Sequence, residues 1–199
     1  MFIFSLAKRL IELVVLAAVS YYVVSGVQVV LASRAPGAVA AAPFRPAVIV
    51  AGTGTPSGPL DADFRARLGH AVALRSADRA RKVVVLCFSQ PQAVRARLYL
   101  LSRKVPSPAI STYVAAELPG ALHLYADSNP PRKALLVADS WQIFWLGHLA
   151  TAEGFHVVSS PVAPVSGGIG NEASTVAVQA AAVAWGRIAG FAQTGFIAG

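Results

Sequence analysis

The sequence predicts an α/β fold, namely a Rossmann-like, doubly wound parallel sheet of about five strands, preceded by one N-terminal transmembrane helix. Short apolar runs alternate with longer segments of helical periodicity, which is typical of parallel strands covered on both faces. An uncharged, mostly apolar run, Leu13–Ala32, comes before them. A helix rises about 1.5 Å per residue, so this run matches the roughly 30 Å hydrocarbon core of a bilayer.

The apolar run is interpreted as a retained membrane anchor. The alternative is a cleaved signal peptide, for which Ala38–Ala42 resembles a cleavage site, but signal peptides have a shorter apolar core. Lys8 and Arg9 precede the run and favour a cytoplasmic N-terminus, although Arg34 on the far side weakens the charge bias. The lipid bilayer is therefore the predicted partner of residues 13–32, in a single-pass plasma-membrane protein whose domain lies outside the cytoplasm. The inverted topology is a weaker alternative.

Composition shifts divide the chain into four parts: a cytoplasmic N-terminus at 1–12, the span at 13–32, an Ala/Pro-rich linker at 33–46 and a domain at 47–199. Continuous apolar runs predict strands at 47–51, 82–88, 109–113, 134–138 and 155–159. Helical spacing predicts helices at 61–76, 92–103, 115–125, 141–153 and 174–191. The last of these is Ala-rich, and packing on the sheet or at the membrane interface is expected for it.

Composition limits the partners and the chemistry. The chain has 199 residues and a formal net charge of +8 from 17 basic and 9 acidic residues. That excess fits attraction to anionic lipids or envelope polymers, or simply a solvated surface. No aromatic interleaving indicates a base-stacking platform, so no nucleic-acid partner is expected. Cys87 is the one cysteine and is expected to be buried. The four histidines are dispersed, no zinc-type spacing is present and no cofactor is identified.

Candidate site residues follow the predicted strands, because ligands of open parallel sheets bind beyond the carboxyl ends of the strands. The loop after the first strand contains Gly52 and Gly54, which would let an anionic group approach backbone N–H donors, or which form a plain glycine-rich turn. Asp139 and Ser140 follow the fourth strand and are interpreted as a helix cap or as polar ligand contacts. Arg67 is either an anion contact or a solvated arginine.

Several blocks of this chain resemble the YdcF/SanA/ElyC group of envelope-associated proteins, especially its actinobacterial members. The similar segments are YYVVSGVQVVLASR, AVIVAG, FRARLGHAVAL, RARLYLLSRKVPSPAI and ALLVADSWQIFWLGHLATAEGFHVVSSPVAP. Their order and spacing agree with the family over about residues 21–191. The resemblance implies a Rossmann-like domain outside the cytoplasm and a role in envelope integrity or cell-wall metabolism. It also assigns the family's first-helix arginine to Arg67.

The chain departs from the family pattern where polar residues are expected. The family's histidine falls on Gln142, its second arginine on Trp145 and a glutamate on Gln92. Of the family's site pattern, Arg67, the glycines of the first loop and Asp139 still match. The lost groups would have transferred protons and held an anion.

Two functional hypotheses follow. The first is a catalytically degenerate family member that binds or scaffolds envelope components, with Trp141, Phe144 and Trp145 filling the pocket, presenting an apolar surface or packing on the sheet. The second is an active enzyme on a phosphorylated or lipid-linked envelope precursor. In that case Gly52, Gly54 and Arg67 bind an anionic envelope ligand, and Asp139 acts as a base or orients water. Ser140 and Gln142 complete the candidate ligand-binding set.

Overall fold

A computed structural model describes residues 2–33, 39–52, 59–128, 130–140, 142–165, 178 and 181. The helices are α1 (Phe2–Ser33), α2 (Ala62–Ser76), α3 (Gln90–Ser102), α4 (Leu118–Asp127) and α5 (Ile143–Ala152). The strands are β1 (Arg45–Ala51), β2 (Ala80–Cys87), β3 (Ile110–Val114), β4 (Lys133–Val137) and β5 (His156–Ser159). Of the helix predicted at 174–191, only positions 178 and 181 fall within the described residues, and Trp141 lies outside them.

The five strands form one parallel sheet in the order β3-β2-β1-β4-β5. The chain moves outward from β1 to β3, then crosses back to place β4 on the other side of β1. This reversal confirms the doubly wound, Rossmann-like α/β prediction. The five predicted strands and the helices predicted at 61–76, 92–103, 115–125 and 141–153 are found at their expected places, with ends displaced by a few residues.

Helices cover both faces of the sheet, as the continuously apolar strands require. On one face, Phe64, Leu68 and Leu100 of α2 and α3 pack against residues that include Val48 and Val85. On the other face, residues of α4 and α5 pack against Ile49, Val84 and Leu136 of the sheet. Because successive strand side chains point to opposite faces, β1 divides its residues between the two cores.

Helix α1 is longer than the predicted span at 13–32. Within it, Ile11–Gln28 is long and apolar enough to cross a membrane by length and composition. Ser25 is buried, and its hydroxyl donates a hydrogen bond to the carbonyl of Tyr21 at 3.0 Å. Part of α1 contacts α5. The helix is therefore adjacent to the domain that follows it.

The second half of the predicted linker at 33–46 belongs to the domain. Val39–Ala41 forms a 3-10 turn, and both Val39 and Ala42 pack against the core on the α2 and α3 face. Arg79 donates a hydrogen bond to the carbonyl of Ala40 at 3.0 Å. β1 begins at Arg45, two residues before the predicted domain boundary. Proline and alanine composition did not reveal this packing, because Ala and Val are also ordinary core residues.

Truncation of Trp145 tests how much the core on the α5 face of the sheet contributes to stability. Its side chain is 1% exposed and packs in the cluster of α4, α5 and the sheet. Trp145→Ala is expected to lower the free energy of unfolding by about 3–5 kcal/mol, through lost burial and the cavity left behind. Urea unfolding of the detergent-solubilised chain measures this change. Leu98→Ala is the control, since Leu98 is 59% exposed and its truncation should change stability by less than about 0.5 kcal/mol.

Candidate functional site

The candidate site lies where β1 and β4 diverge at their carboxyl ends. The crossover connections leave this point of the sheet in opposite directions, which creates the crevice used by open α/β folds. Gly52 follows β1, and Ala138 and Asp139 follow β4. Residues beyond β5 extend the sheet here: the Val162 N–H donates to the Ala138 carbonyl at 3.0 Å, and the Ser140 N–H donates to the Val162 carbonyl at 3.1 Å.

Arg67 is fully buried at this point and holds three elements together. Its Nε donates to Asp139 Oδ1 at 2.8 Å, and its Nη2 donates to Asp139 Oδ2. Its Nη1 donates to the carbonyls of Ala51 at 2.9 Å and Gly52 at 3.2 Å. The guanidinium has five N–H donors, and these contacts use four of them. The expectation of a solvated arginine was therefore wrong.

Asp139 is the counter-ion of Arg67. Burial raises the pKa of the Asp139 carboxyl, Arg67 opposes that increase, and the nearby Asp63 and Asp61 carboxylates add to it. The bidentate contact with the Arg67 guanidinium favours the ionised form of this carboxyl, against the effect of burial. The expectation that Asp139 or Ser140 caps α5 through its side chain was wrong: Gln142 is the N-cap and makes no side-chain cap hydrogen bond. Asp139 instead accepts the first N–H groups of α5 through its backbone carbonyl.

Gly52 is needed for close packing between β1 and β2. Its N–H donates to the Leu86 carbonyl at 2.9 Å, so that donor is already used. A Cβ at this position would lie 2.6 Å from the same carbonyl oxygen, which no ordinary side chain tolerates. The geometry therefore favours a structural role for Gly52 over the predicted anion contact. Gly54 lies outside the described residues.

The remaining candidates are Ser140 and Gln142, which lie between β4 and α5. Ser140 is buried, and its backbone N–H pairs with Val162. Gln142 is half-buried, and within the described residues its Oε1 is buried without a hydrogen-bond partner. Gln142 is thus the one predicted candidate whose polar atom is left unsatisfied in the described part of the site. An unsatisfied buried acceptor is costly, so this oxygen is suited to accept a hydrogen bond from a bound donor.

Gln92, Trp145, Phe144 and Cys87 have surroundings that indicate structural roles. Gln92 is buried at the start of α3, where its Oε1 accepts a hydrogen bond from the Phe88 N–H at 2.8 Å. Trp145 packs in the core, as the sheet-packing interpretation predicted. Phe144 is partly buried and lines an open groove of about 390 Å³ on α5 and β5. Cys87 is buried as expected, and burial raises the pKa of its thiol to about 12, which makes it a poor nucleophile.

A histidine–serine pair at the same edge was not predicted from the sequence. His70 lies one turn after Arg67 on α2, and its Nε2 is 2.8 Å from Oγ of Ser160, which is buried just after β5. Burial lowers the pKa of the His70 imidazole, so the ring is neutral at physiological pH. Arg67 and His70 share a helical face at the spacing i, i+3. That spacing was the signal available in the sequence for His70, but no local pattern indicates that its partner is Ser160, 90 residues away.

The site combines a neutralised ion pair, a neutral histidine and a buried hydroxyl. The ion pair fixes α2 against the ends of β1 and β4 and leaves little positive charge for a ligand. Within the residues that the structure describes, no group of three or more His, Cys, Asp or Glu side chains could hold a metal ion. Comparison with protein-family models, with curated proteins and with solved structures finds no match to this chain.

A double-mutant cycle tests the buried ion pair. Arg67→Met or Asp139→Leu alone is expected to lower the free energy of unfolding by about 3–5 kcal/mol, because each leaves an uncompensated buried charge. The double variant should lose much less than the sum of the two, since neither charge remains. Urea unfolding of the three variants measures the coupling. Additive losses would show that the two side chains do not interact in the folded protein.

His70 and His123 should give pH dependences of opposite sign. Because the pKa of His70 is lowered in the folded protein, acidification protonates this histidine in the unfolded chain before it does so in the folded one. The contribution of neutral His70 to folding stability is therefore lost as pH falls below about 6.5. A hydrogen bond to Glu153 raises the pKa of His123, so its contribution is lost as pH rises through that pKa. Urea unfolding midpoints are measured between pH 5 and pH 8 in steps of about half a pH unit. Compared with the unsubstituted protein, the midpoint should fall less steeply on acidification in His70→Gln and more steeply in His123→Gln. Identical slopes in the two variants would contradict these assignments.

Proposed function

We propose that this chain is a membrane-anchored envelope protein similar to the YdcF/SanA group, in which the Rossmann-like domain binds or scaffolds and does not catalyse a reaction at the switch point. Helix α1 is proposed as the single span, with the N-terminus in the cytoplasm and the domain outside it. The length and apolar composition of α1 support the anchor. Lys8 and Arg9 support the orientation.

The buried pair of Arg67 and Asp139 is the observation that carries the non-catalytic proposal. An arginine that clamps a phosphate must direct N–H donors into an open site. Here four donors are directed at a carboxylate and two backbone carbonyls inside the protein. Asp139, held by the same contacts, is a poor general base because its lone pairs already accept from a guanidinium. The contacts of Arg67 and Asp139 therefore support an architectural role for these residues more than a catalytic one.

The second candidate function is an enzyme acting on a phosphorylated or lipid-linked envelope precursor. The pair of His70 and Ser160 favours it, because a hydroxyl within hydrogen-bond distance of a neutral imidazole is the arrangement that activates a serine nucleophile. Ser160 is 3% exposed, however, and a nucleophile must be reached by its substrate. The burial of this hydroxyl supports a structural link between α2 and the end of β5.

Ligand-induced stabilisation and turnover distinguish the two functions. The detergent-solubilised full chain is heated with and without phosphomonoesters, nucleotides and lipid-linked sugar phosphates, and product formation is measured under the same conditions. We expect no turnover, and no increase in Tm from any ligand that acts through Arg67. A ligand that bound the folded state at about 100 times its Kd would add about 2.7 kcal/mol of stability, which a melting curve detects.

The variants His70→Gln and Ser160→Ala serve as matched probes of the second candidate. Turnover that both variants abolish, while each still melts cooperatively, would overturn the non-catalytic proposal in favour of the enzyme. Resistance of the chain to alkaline extraction tests the anchor, and a reporter fused after Gly199 tests the orientation. A reporter active in the cytoplasm would establish the inverted topology.

A further inference from the structure

A cationic patch with an exposed aromatic ring lies at the amino-terminal edge of the sheet, opposite the candidate site. We call it the basic edge patch, and its members are Phe44, Arg45, Arg75, Arg79 and Arg81. The backbone N–H of Arg45 donates to the carbonyl of Arg79 at 2.8 Å, because the register pairs Arg45 with Ala80 at the start of both strands. The guanidinium of Arg81 lies 5.5 Å from the ring centroid of Phe44, which is 47% exposed.

The basic edge patch carries an excess of positive charge, because its four arginines are accompanied in the adjoining turn by one carboxylate, that of Asp78. None of its four arginines forms an ion pair with a carboxylate within the described part of the chain. The Nε atoms of Arg45, Arg75 and Arg79 are buried without a hydrogen-bond partner among the described residues. The side chains of Arg45 and Arg79 donate hydrogen bonds to backbone carbonyls, those of Phe44 and Ala40 respectively. Adjacent arginines repel one another unless an anion lies between them.

The chain holds this patch close to the proposed membrane anchor. Helix α1 ends at Ser33, and Val39 is already packed on the domain. Five residues separate them, so Val39 lies within about 20 Å of Ser33 even if that segment is fully extended. Contact between α1 and α5 further limits how far the domain can move from the anchor. Four residues after Val39, at 40–43, lead directly into Phe44.

We propose that the basic edge patch binds the anionic phospholipid headgroups of the bilayer that holds α1. The arginines supply the countercharge for lipid phosphates, and the first of them, Arg45, follows the end of α1 at Ser33 by 12 residues. The exposed ring of Phe44 contributes apolar area at the boundary between headgroups and acyl chains. This inference rests on the proposed anchoring of α1. It does not depend on whether the switch point is catalytic.

Hydrogen exchange of the full chain in lipid nanodiscs tests the proposal. Two compositions are compared, phosphatidylcholine alone and phosphatidylcholine with phosphatidylglycerol. Segments 39–46 and 75–82 should exchange more slowly in the anionic bilayer, by roughly fivefold for each arginine that engages a lipid phosphate. The difference should shrink when salt is raised from about 0.1 M to about 1 M, which shortens the Debye length from about 10 Å to about 3 Å.

Matched variants identify the residues responsible. Arg81→Gln and Phe44→Ser should reduce the lipid-dependent protection. Arg65→Gln should leave it unchanged, because Arg65 is an equally exposed arginine in the first turn of α2, at the opposite edge. Unchanged exchange of the β1 and β4 backbone in each variant verifies that the domain remains folded.

The outcomes separate the anchor from the docking surface. Slow exchange in α1 together with equal exchange of the patch in both bilayers would overturn the docking proposal and leave the anchor in place. Fast exchange throughout α1 in both bilayers would overturn the anchor and the docking surface together. Protection of the patch that is lost equally in Arg65→Gln and Arg81→Gln would show a net-charge effect and contradict the specific patch.

Discussion

Burial of the Arg67 guanidinium is the constraint on which the middle of this structure depends. A cation without solvent is tolerated only where a carboxylate and enough acceptors surround it. Asp139 supplies the carboxylate from the end of β4, and Ala51 and Gly52 supply carbonyls from the end of β1. The two strands at the switch point and the helix between them are thereby fixed together. Close approach of β1 and β2 at Gly52 completes the arrangement, because any Cβ there would collide with Leu86.

The same contacts determine which chemistry the switch point can support. A crevice of this kind normally presents free backbone N–H groups and a cation to an anionic ligand. In this chain the Gly52 N–H is used by Leu86 and the cation by Asp139. Polar atoms with remaining capacity are found beside the ion pair, at Gln142 Oε1 and at the His70–Ser160 pair. These groups are neutral, and Arg67, the buried cation of the described crevice, is already paired with Asp139.

The fold could be predicted because its signals are local. Runs such as Ala47–Ala51 and Ala134–Ala138 are apolar throughout, which specifies strands buried on both faces, and Asp61 caps α2 within three residues. The sequence predicted the position of the site in the fold but not the contacts that its residues make. Arg67 and Asp139 are 72 residues apart, and no local pattern distinguishes a buried arginine from a solvated one. The side-chain cap expected at Asp139 failed for the same reason, since a distant guanidinium competes successfully for that carboxylate.

The two edges of the sheet differ in whether their arginines are paired with a carboxylate. At the carboxyl edge the buried arginine is matched by a carboxylate within the domain. At the amino edge Arg45 and Arg79 are brought together by the register of β1 and β2, and no carboxylate of the described chain pairs with either. Folding alone does not require this, because an uncharged polar residue at the start of either strand would satisfy the same backbone bonds without repulsion. We therefore propose that anionic lipid headgroups at the end of α1 supply countercharge for the amino edge.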